Sequence, residues 1–287
     1  MATAFPATVE RRLDQVLGQY RQWCTDTPLE GPPRVVSPLN GGHSNHAFLV
    51  EADAQFVVRI DGIDPDLHGL NRQAEWRVLQ AAGDARIAPM PRYFNPELGA
   101  LVVDYLAPEV YDAFDSPGIA GLLRAIHALA PRHNRLDLGD RLRRYLHRIR
   151  SHGTALPAIL TTLEPQLPAM LEQLDGLAGP VVLCHNDLLP PNRLRHGGRW
   201  WALDWEYAAM ANPWYELAVI VCGDELPPEE QALLLQHYLQ RTPTDKEQLL
   251  LKRFAGVYRY LELAWYLAQE RQALDEEALG VREAALG

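Results

Sequence analysis

Lysine is almost missing from this 287-residue chain: Lys246 and Lys252 are the only two among 27 basic residues. Any task that needs a cation before residue 246 therefore falls to arginine or is left undone. Cysteine is scarce too. Cys24, Cys184 and Cys222 are odd in number, far apart and without a CxxC pair. That argues against a disulfide framework or a thiolate zinc site and predicts a reducing, cytoplasmic setting. Long apolar runs are also lacking; the longest are of the kind at 217–222, so no membrane insertion is expected. Residues 1–12 lack a basic start followed by an apolar core, and no secretory signal is read there. Neither GxGxxG nor a Walker A motif occurs anywhere. Positive charge is in deficit as well, with a formal net charge of -10. That sets nucleic acid aside as a partner. An anionic ligand would need a local cationic patch or a bound metal, whereas a cationic small molecule meets no such barrier.

What is present is ordinary globular material, 47% hydrophobic and 22% charged, in a length that suits one large domain or two lobes. Apolar spacing predicts an amphipathic helix over 7–23. Residues 35–39, 45–52 and 55–60 then read as strands joined by short turns, hence antiparallel hairpins. A helix over about 69–82, stopped by Gly83, and two strands at 91–94 and 100–106 follow. Beyond Leu106 helical periodicity dominates: 117–129, 136–150, 164–176, 213–222, 227–240, 244–270 and 274–285. One β interruption spans 181–205 and turns at His196-Gly197-Gly198. The expectation is an α+β, bilobal architecture, with a small antiparallel-sheet N-lobe at 1–106 and a larger, mainly helical C-lobe at 107–287.

Residues 181–218 carry the chemistry. An apolar strand ends at Cys184, and a loop with His185, Asp187 and Asn192 follows, stiffened by Pro190 and Pro191. A second strand then delivers Asp204 at its exit. The two strands are expected to be adjacent, so that carboxylate and amide oxygens at their ends converge on one spot, a donor set that suits Mg²⁺.

HxDxxxxN followed by a strand-terminal Asp204-Trp205-Glu206-Tyr207-Ala208 resembles the catalytic motif of the aminoglycoside phosphotransferase and choline kinase superfamily. Its wording is most similar to the choline/ethanolamine and bacterial thiamine kinase branch. Leu39-Asn40-Gly41-Gly42-His43-Ser44-Asn45 resembles the family's phosphate-covering loop, Val57-Val58-Arg59 its third strand and Glu75 its helix glutamate. Ile87-Ala88-Pro89-Met90-Pro91 and Val102-Val103-Asp104-Tyr105-Leu106 resemble the segment leading into its hinge. Two departures are visible: the third-strand lysine is Arg59, and the usual DLA reads Glu216-Leu217-Ala218.

The resemblance implies a protein-kinase-like fold and in-line phosphoryl transfer from ATP to a small alcohol. It casts Asp187 as acceptor of the substrate hydroxyl proton, and Asn192 and Asp204 as ligands of Mg²⁺. Arg59 would meet the α- and β-phosphates, oriented by Glu75. The backbone around Gly41, Gly42, Ser44 and Asn45 would cover the phosphates, and Asp104, Tyr105 and Leu106 would meet the adenine edge. Tyr258, Glu262 and Trp265 share a helix face at i, i+4 and i+7, and Trp205 and Glu206 follow the metal aspartate. The resemblance offers these five, with Asp187, as surroundings for a cationic acceptor of the choline or thiamine kind.

Taken alone, several of these features read otherwise. A glycine pair between strands is a hairpin turn. Arg59 and Glu75 as an isolated pair are surface charges. Tyr258 and Trp265 are also core aromatics of a long helix. His43, His46 and His127 read as turn, surface or packing residues rather than metal ligands. The arginines at 141, 143, 144, 148 and 150 read as a solvated helix face, with an anionic substrate group as the alternative. At the level of function, an aminoglycoside or sugar kinase and a catalytically silent nucleotide-binding module are the rivals. Retention of Asp187, Asn192 and Asp204 together argues against the silent module.

Overall fold

A computed structural model of the protein describes residues 5–39, 45–62, 70–153, 155–177 and 179–269. The chain divides into two compact units, Met1–Phe114 with Pro191–Ala208, and Asp115–Pro190 with Ala209–Gly287.

The first unit rests on strand alternation. β1 (Arg34–Leu39), β2 (Asn45–Glu51), β3 (Gln55–Asp61), β4 (Pro91–Asn95) and β5 (Ala100–Asp104) form one antiparallel sheet in the order β1-β2-β3-β5-β4. Phe56, Val58 and Ile60 of β3 are buried with Phe48 and Val50 of β2. They share a core with Val9, Leu13, Val16 and Leu17 from α1 (Ala7–Gly18). Each such side chain, fully withdrawn from water, contributes about 1.5–3 kcal/mol. The same period of two places Arg59 and Asp61 on the opposite face of β3. The sheet thus fixes Arg59 on the face turned away from the core.

α2 (Arg72–Asp84) opens on Asn71, whose side chain accepts from the Ala74 N–H at 2.9 Å. Its end differs from the sequence expectation, because Gly83 lies inside the helix rather than stopping it. A Cβ there would stand 3.0 Å from Pro91 Cδ and 3.3 Å from Met90 Sδ, so the glycine answers a close approach. Gly99 is a second such position: its φ is +55° and a Cβ would lie 3.0 Å from Asp61 Oδ2.

The second unit is mainly helical. It contains α3 (Ser116–His127), α4 (Leu138–Ser151), α5 (Ala158–Leu163), α6 (Leu167–Leu177), α7 (Pro213–Gly223), α8 (Pro228–Leu239) and α9 (Asp245–Ala268). The helix expected over 164–176 is a 3₁₀ turn at Glu164–Gln166, where Pro165 carries no N–H to continue the ladder, followed by α6, and the short α5 just before it is not among the expected helices. α7 is buried from Trp214 to Val221 and packs against α9. A capping box starts α9: Thr244 and Glu247 each satisfy the other's backbone N–H. The helix expected at 274–285 lies outside the described residues. Among the described residues no helix is long and apolar enough to cross a membrane.

One expectation is corrected by the sheet topology. β6 (Val182–Cys184) pairs with β9 (Ala209–Ala211), and β7 (Arg193–His196) pairs with β8 (Arg199–Ala202). The strands that precede Asp187 and Asp204 are therefore not neighbours in one sheet. β9 escapes sequence reading because Ala209-Met210-Ala211 has neither β-branched residues nor alternation, all three being buried.

Candidate active site

The sequence places two chemical types, guanidinium and carboxylate, on three different elements of the first unit, and folding gathers them. Arg59 faces Glu75 of α2 in a two-pronged ion pair, Nη1 to Oε1 at 2.5 Å and Nη2 to Oε2 at 2.8 Å. Its Nη1 also donates to Asp204 Oδ1 at 2.8 Å. Arg72, one helical turn before Glu75, donates through Nη1 to Glu75 Oε2 at 2.8 Å and Glu206 Oε2 at 2.9 Å. Its Nη2 lies 2.8 Å from Asp61 Oδ1. Four carboxylates, Asp61, Glu75, Asp204 and Glu206, thus surround two guanidinium groups.

The electrostatics follow from that imbalance. Burial works against the charged form of Arg59, but Glu75 and Asp204 outweigh it and hold its pKa well above the usual value. Burial would raise Glu75, yet Arg59 and Arg72 draw it below the ordinary carboxylate range. Asp204 goes the other way. Burial, with repulsion from Glu206 and Glu75, pushes it up to about 7 despite the attraction of Arg59. With 29% of its side chain still open to solvent, Asp204 is the member of the cluster that a hard cation could reach.

The β7–β8 hairpin sets the neighbour of Asp204. Gly197 and Gly198, with φ of +59° and +70°, make the two-residue turn that fixes the strand register. Arg193 then pairs with Ala202, and the Leu203 N–H donates to the Asn192 carbonyl at 2.8 Å. Asn192 and Asp204 leave the same end of the hairpin, Asp204 in the left-handed region at φ +57°. One carboxylate and one amide, both hard oxygen donors, fit a divalent magnesium ion. Arg59 Nε, buried and without a hydrogen-bond partner among the described residues, is a donor left over for an anionic oxygen.

Other residues singled out in the first unit take different places. Trp205 is 1% exposed, its indole N–H donating to the Ala202 carbonyl, so its ring belongs to the interior. The Glu206 carboxylate is engaged by Arg72 and by the Asn45 amide at 3.1 Å. Asp104 is gripped by Arg92, Nε to Oδ1 at 2.6 Å and Nη2 to Oδ2 at 2.8 Å. The Asp104 and Tyr105 N–H groups donate to the Met90 and Gln55 carbonyls, and Leu106 follows half-buried. Gly41, Gly42 and Ser44 lie outside the described residues.

In the second unit β6 runs into the turn that carries Asp187. Glu216, fully buried on α7, accepts from the His185 and Asn186 N–H groups at 2.6 and 2.9 Å. Asn186 sits at φ +65°, and its amide donates to the Cys184 and Ala209 carbonyls at 3.3 Å each. The turn is thereby pinned one residue before the half-buried Asp187. Behind it, His127 Nε2 and Glu216 Oε2 lie 2.5 Å apart, and His127 Nδ1 meets the Tyr238 hydroxyl at 2.8 Å. His127, Cys184 and Glu216 have ligand-type atoms within 4.8 Å of one another. Here those atoms serve each other, since burial first and then Glu216 hold the Cys184 thiol in its neutral form.

Three phenols feel the charge of Asp187. Burial first, then Asp187 among other charges, raises Tyr145, Tyr258 and Tyr215, the last to about 12. Glu262 acts on Tyr258 as well, and the Tyr215 and Tyr258 rings lie 6.2 Å apart. Trp265 is half-buried and meets Tyr266 edge-on at 4.9 Å. Sequence reading missed Arg72, Asp61, Tyr145 and Tyr215. The available signals were a second arginine three residues before Glu75, and tyrosines adjacent to Glu216 and four residues after Arg141.

A sequence model described as the phosphotransferase enzyme family matches residues 35–251. This chain belongs to that family. Among curated proteins, Protein LicA of Haemophilus influenzae is 34% identical over 79 residues, 27% of this chain and 30% of the relative. The match thus spans under a third of that relative's length. Among solved structures, a choline/ethanolamine kinase family protein from Mesorhizobium loti superposes with a TM-score of 0.76 at 21% identity, over 96% of this chain and 93% of the other. Choline kinase LicA from Streptococcus pneumoniae gives 0.71 at 23% identity, over 88% and 93%. The phosphotransferase therefore has the protein-kinase-like α+β fold that its sequence led us to expect, and it is an enzyme.

Proposed function

We propose that this phosphotransferase moves a phosphoryl group from ATP to the hydroxyl of a small cationic alcohol of the choline or thiamine type, in the cytoplasm and with Mg²⁺. The observation that carries the cationic reading is the grouping in the second unit of Tyr215 and Tyr258, rings 6.2 Å apart, with Asp187 and Glu262. Aromatic faces and a carboxylate are what a desolvated ammonium needs, a contact worth roughly 0.5–2 kcal/mol per ring. Trp265 extends the same helix face.

In this reading Asp187 takes the proton of the acceptor hydroxyl, and Glu216 holds its turn in place. Residues 107–287 serve as the catalytic and acceptor-binding lobe. Residues 1–106 serve the nucleotide: Arg59 grips phosphate oxygens with a fork that lysine lacks, Glu75 orients it, and Gly41, Gly42, Ser44 and Asn45 cover the phosphates. Asp104, Tyr105 and Leu106 meet the adenine edge through their backbone. Asn192 and Asp204 hold Mg²⁺, whose contribution when bound is to neutralise phosphate charge.

The test is an ADP-release screen with ATP and Mg²⁺ over choline, ethanolamine, thiamine, aminoglycosides and neutral sugars. The expected result is turnover concentrated on choline- or thiamine-like alcohols. A neutral sugar as best acceptor would sink the cationic reading and leave the kinase one. No ADP release with any alcohol would instead make the chain a silent nucleotide-binding module.

A further inference from the structure

Arg72, like its partner Asp61, belongs to the charged cluster but is used neither by the motif nor by the proposed reaction. It is also the most connected. Its side chain is 8% exposed and reaches four residues on four different stretches of chain. Those are Asp61 at the end of β3, Glu75 on α2, Glu206 in the turn after Asp204, and Asn45 at the start of β2. Asn45 and Asp61 are themselves opposite one another in the β2–β3 register. Asn45 closes a ring: its amide donates to Glu206 Oε2 at 3.1 Å, and its carbonyl oxygen accepts from Arg72 Nη2 at 3.3 Å.

The chemistry of this ring is specific. An amide is needed at position 45, because one group must donate to a carboxylate while accepting from a guanidinium. An arginine is needed at 72, because a single ammonium cannot serve several carboxylates and an amide in one plane. Glu206, with a side chain 3% exposed, is fixed between them. Burial of so many charges is not a route to stability, since apolar residues of similar volume do as well or better. What the ring does achieve is a rigid spacing between the first residue of β2, the Arg59–Glu75 pair and the turn that presents Asp204.

We infer that Arg72, Glu206 and Asn45 form a positioning strut for nucleotide binding, and that Glu206 acts there rather than on the acceptor. This rests on the reading of Arg59, Asn45 and Asp204 as the nucleotide side of the enzyme. Arg72 and Glu206 act through Asn45, Glu75 and the Asp204 turn, and so are positioning residues rather than catalytic ones.

The experiment uses the full chain with the acceptor found by the screen. It measures nucleotide and acceptor KM, kcat, and calorimetric binding of Mg-ATP without acceptor. Glu206→Gln and Asn45→Ala are expected to raise nucleotide KM and weaken Mg-ATP binding by roughly tenfold or more, the worth of a lost charge-assisted hydrogen bond. Acceptor KM should move less than about threefold, a difference too small for a lost hydrogen bond. Arg72→Lys should fall between wild type and Arg72→Met. Adding Glu206→Met to Arg72→Met should weaken nucleotide binding no further, as residues acting as one unit do. Thermal unfolding checks that each variant folds. If Arg72→Met does not fold, Glu206→Gln and Asn45→Ala still decide the matter. An acceptor KM raised by Glu206→Gln with Mg-ATP binding unchanged would overturn the strut. Failure of the wild-type protein to bind Mg-ATP would overturn the nucleotide reading beneath it, a distinguishable result.

Discussion

At the scale of single residues, the proposed reaction gives Asp187 the proton transfer and Glu216 the task of holding its turn. Asp187 stands half-buried on a turn whose two preceding N–H groups are bound by Glu216. Asp187→Asn keeps its shape and removes the proton acceptor. Turnover should fall roughly 10²–10⁴-fold while Mg-ATP affinity and unfolding temperature stay near wild type. Steady-state kinetics beside calorimetry checks this, and near-normal turnover would remove Asp187 as the base. Glu216 predicts a different signature. Burial opposes its charge, but the bonds from His127 and the loop N–H groups prevail, so its folded pKa lies below 4.5. The unfolded chain then binds more protons between the two values. The Glu216 contribution is complete above about 4.5 and is lost as pH falls through the folded pKa. Glu216→Gln should cost roughly 1–3 kcal/mol at pH 7, because one of its two buried acceptor oxygens becomes an amide donor and the charge that His127 and the loop N–H groups face is lost. The gap between wild type and variant should narrow as urea unfolding is repeated at more acid pH. A gap independent of pH would mean that the Glu216 charge does not matter.

At the scale of elements, most of the fold is readable in the sequence. β2 and β3 announce themselves through Phe48, Val50, Phe56, Val58 and Ile60, because a half-buried strand repeats every two residues. α9 announces itself through the helical spacing of apolar residues over 244–270. What escapes reading is any feature whose cause lies on another element. β9 is a strand only because β6 lies beside it, and Gly83 is a glycine only because Pro91 and Met90 crowd it. This gives a paired prediction for two helical glycines. Gly256 of α9 has nothing within 4 Å of a built Cβ. Gly256→Ala should therefore stabilise the protein by about 0.5–1 kcal/mol, the helix-propensity difference. Gly83→Ala gains the same propensity but drives a methyl to 3.0 Å from the Pro91 ring, which is held at the start of β4. Overpacking of that kind costs about 1–3 kcal/mol, so the net change should be destabilising. Urea midpoints of the two variants test the opposite signs, and a stabilised Gly83→Ala would show that β4 yields freely.

At the scale of the whole molecule, the candidate site is legible where it is local and hidden where it is a sum. His185, Asp187, Asn192 and Asp204 lie within 20 residues of one another and could be read as a motif. The Arg72–Glu206 and Asn45–Glu206 contacts join residues 134 and 161 positions apart, and no local pattern encodes them. Net charge belongs to the same class of property, yet it bears on which acceptor arrives. A chain carrying -10 attracts cations over distances set by the Debye length, about 30 Å at 0.01 M salt and 3 Å at 1 M. Tyr215, Tyr258 and Glu262 act only at contact, where salt screens little. The two contributions are therefore separable. For choline or the best cationic acceptor, kcat/KM should fall as salt is raised and then level off. For an uncharged isostere, with a carbon in place of the quaternary nitrogen, kcat/KM should barely respond to salt. The isostere should stay roughly 2- to 30-fold poorer even at high salt, the worth of one desolvated cation–π contact. If both curves fall together, salt is acting on the nucleotide step. If the isostere equals the cation once salt is high, the aromatic and acidic groups near Asp187 do not recognise charge. The acidity of the chain would then be the whole of its preference.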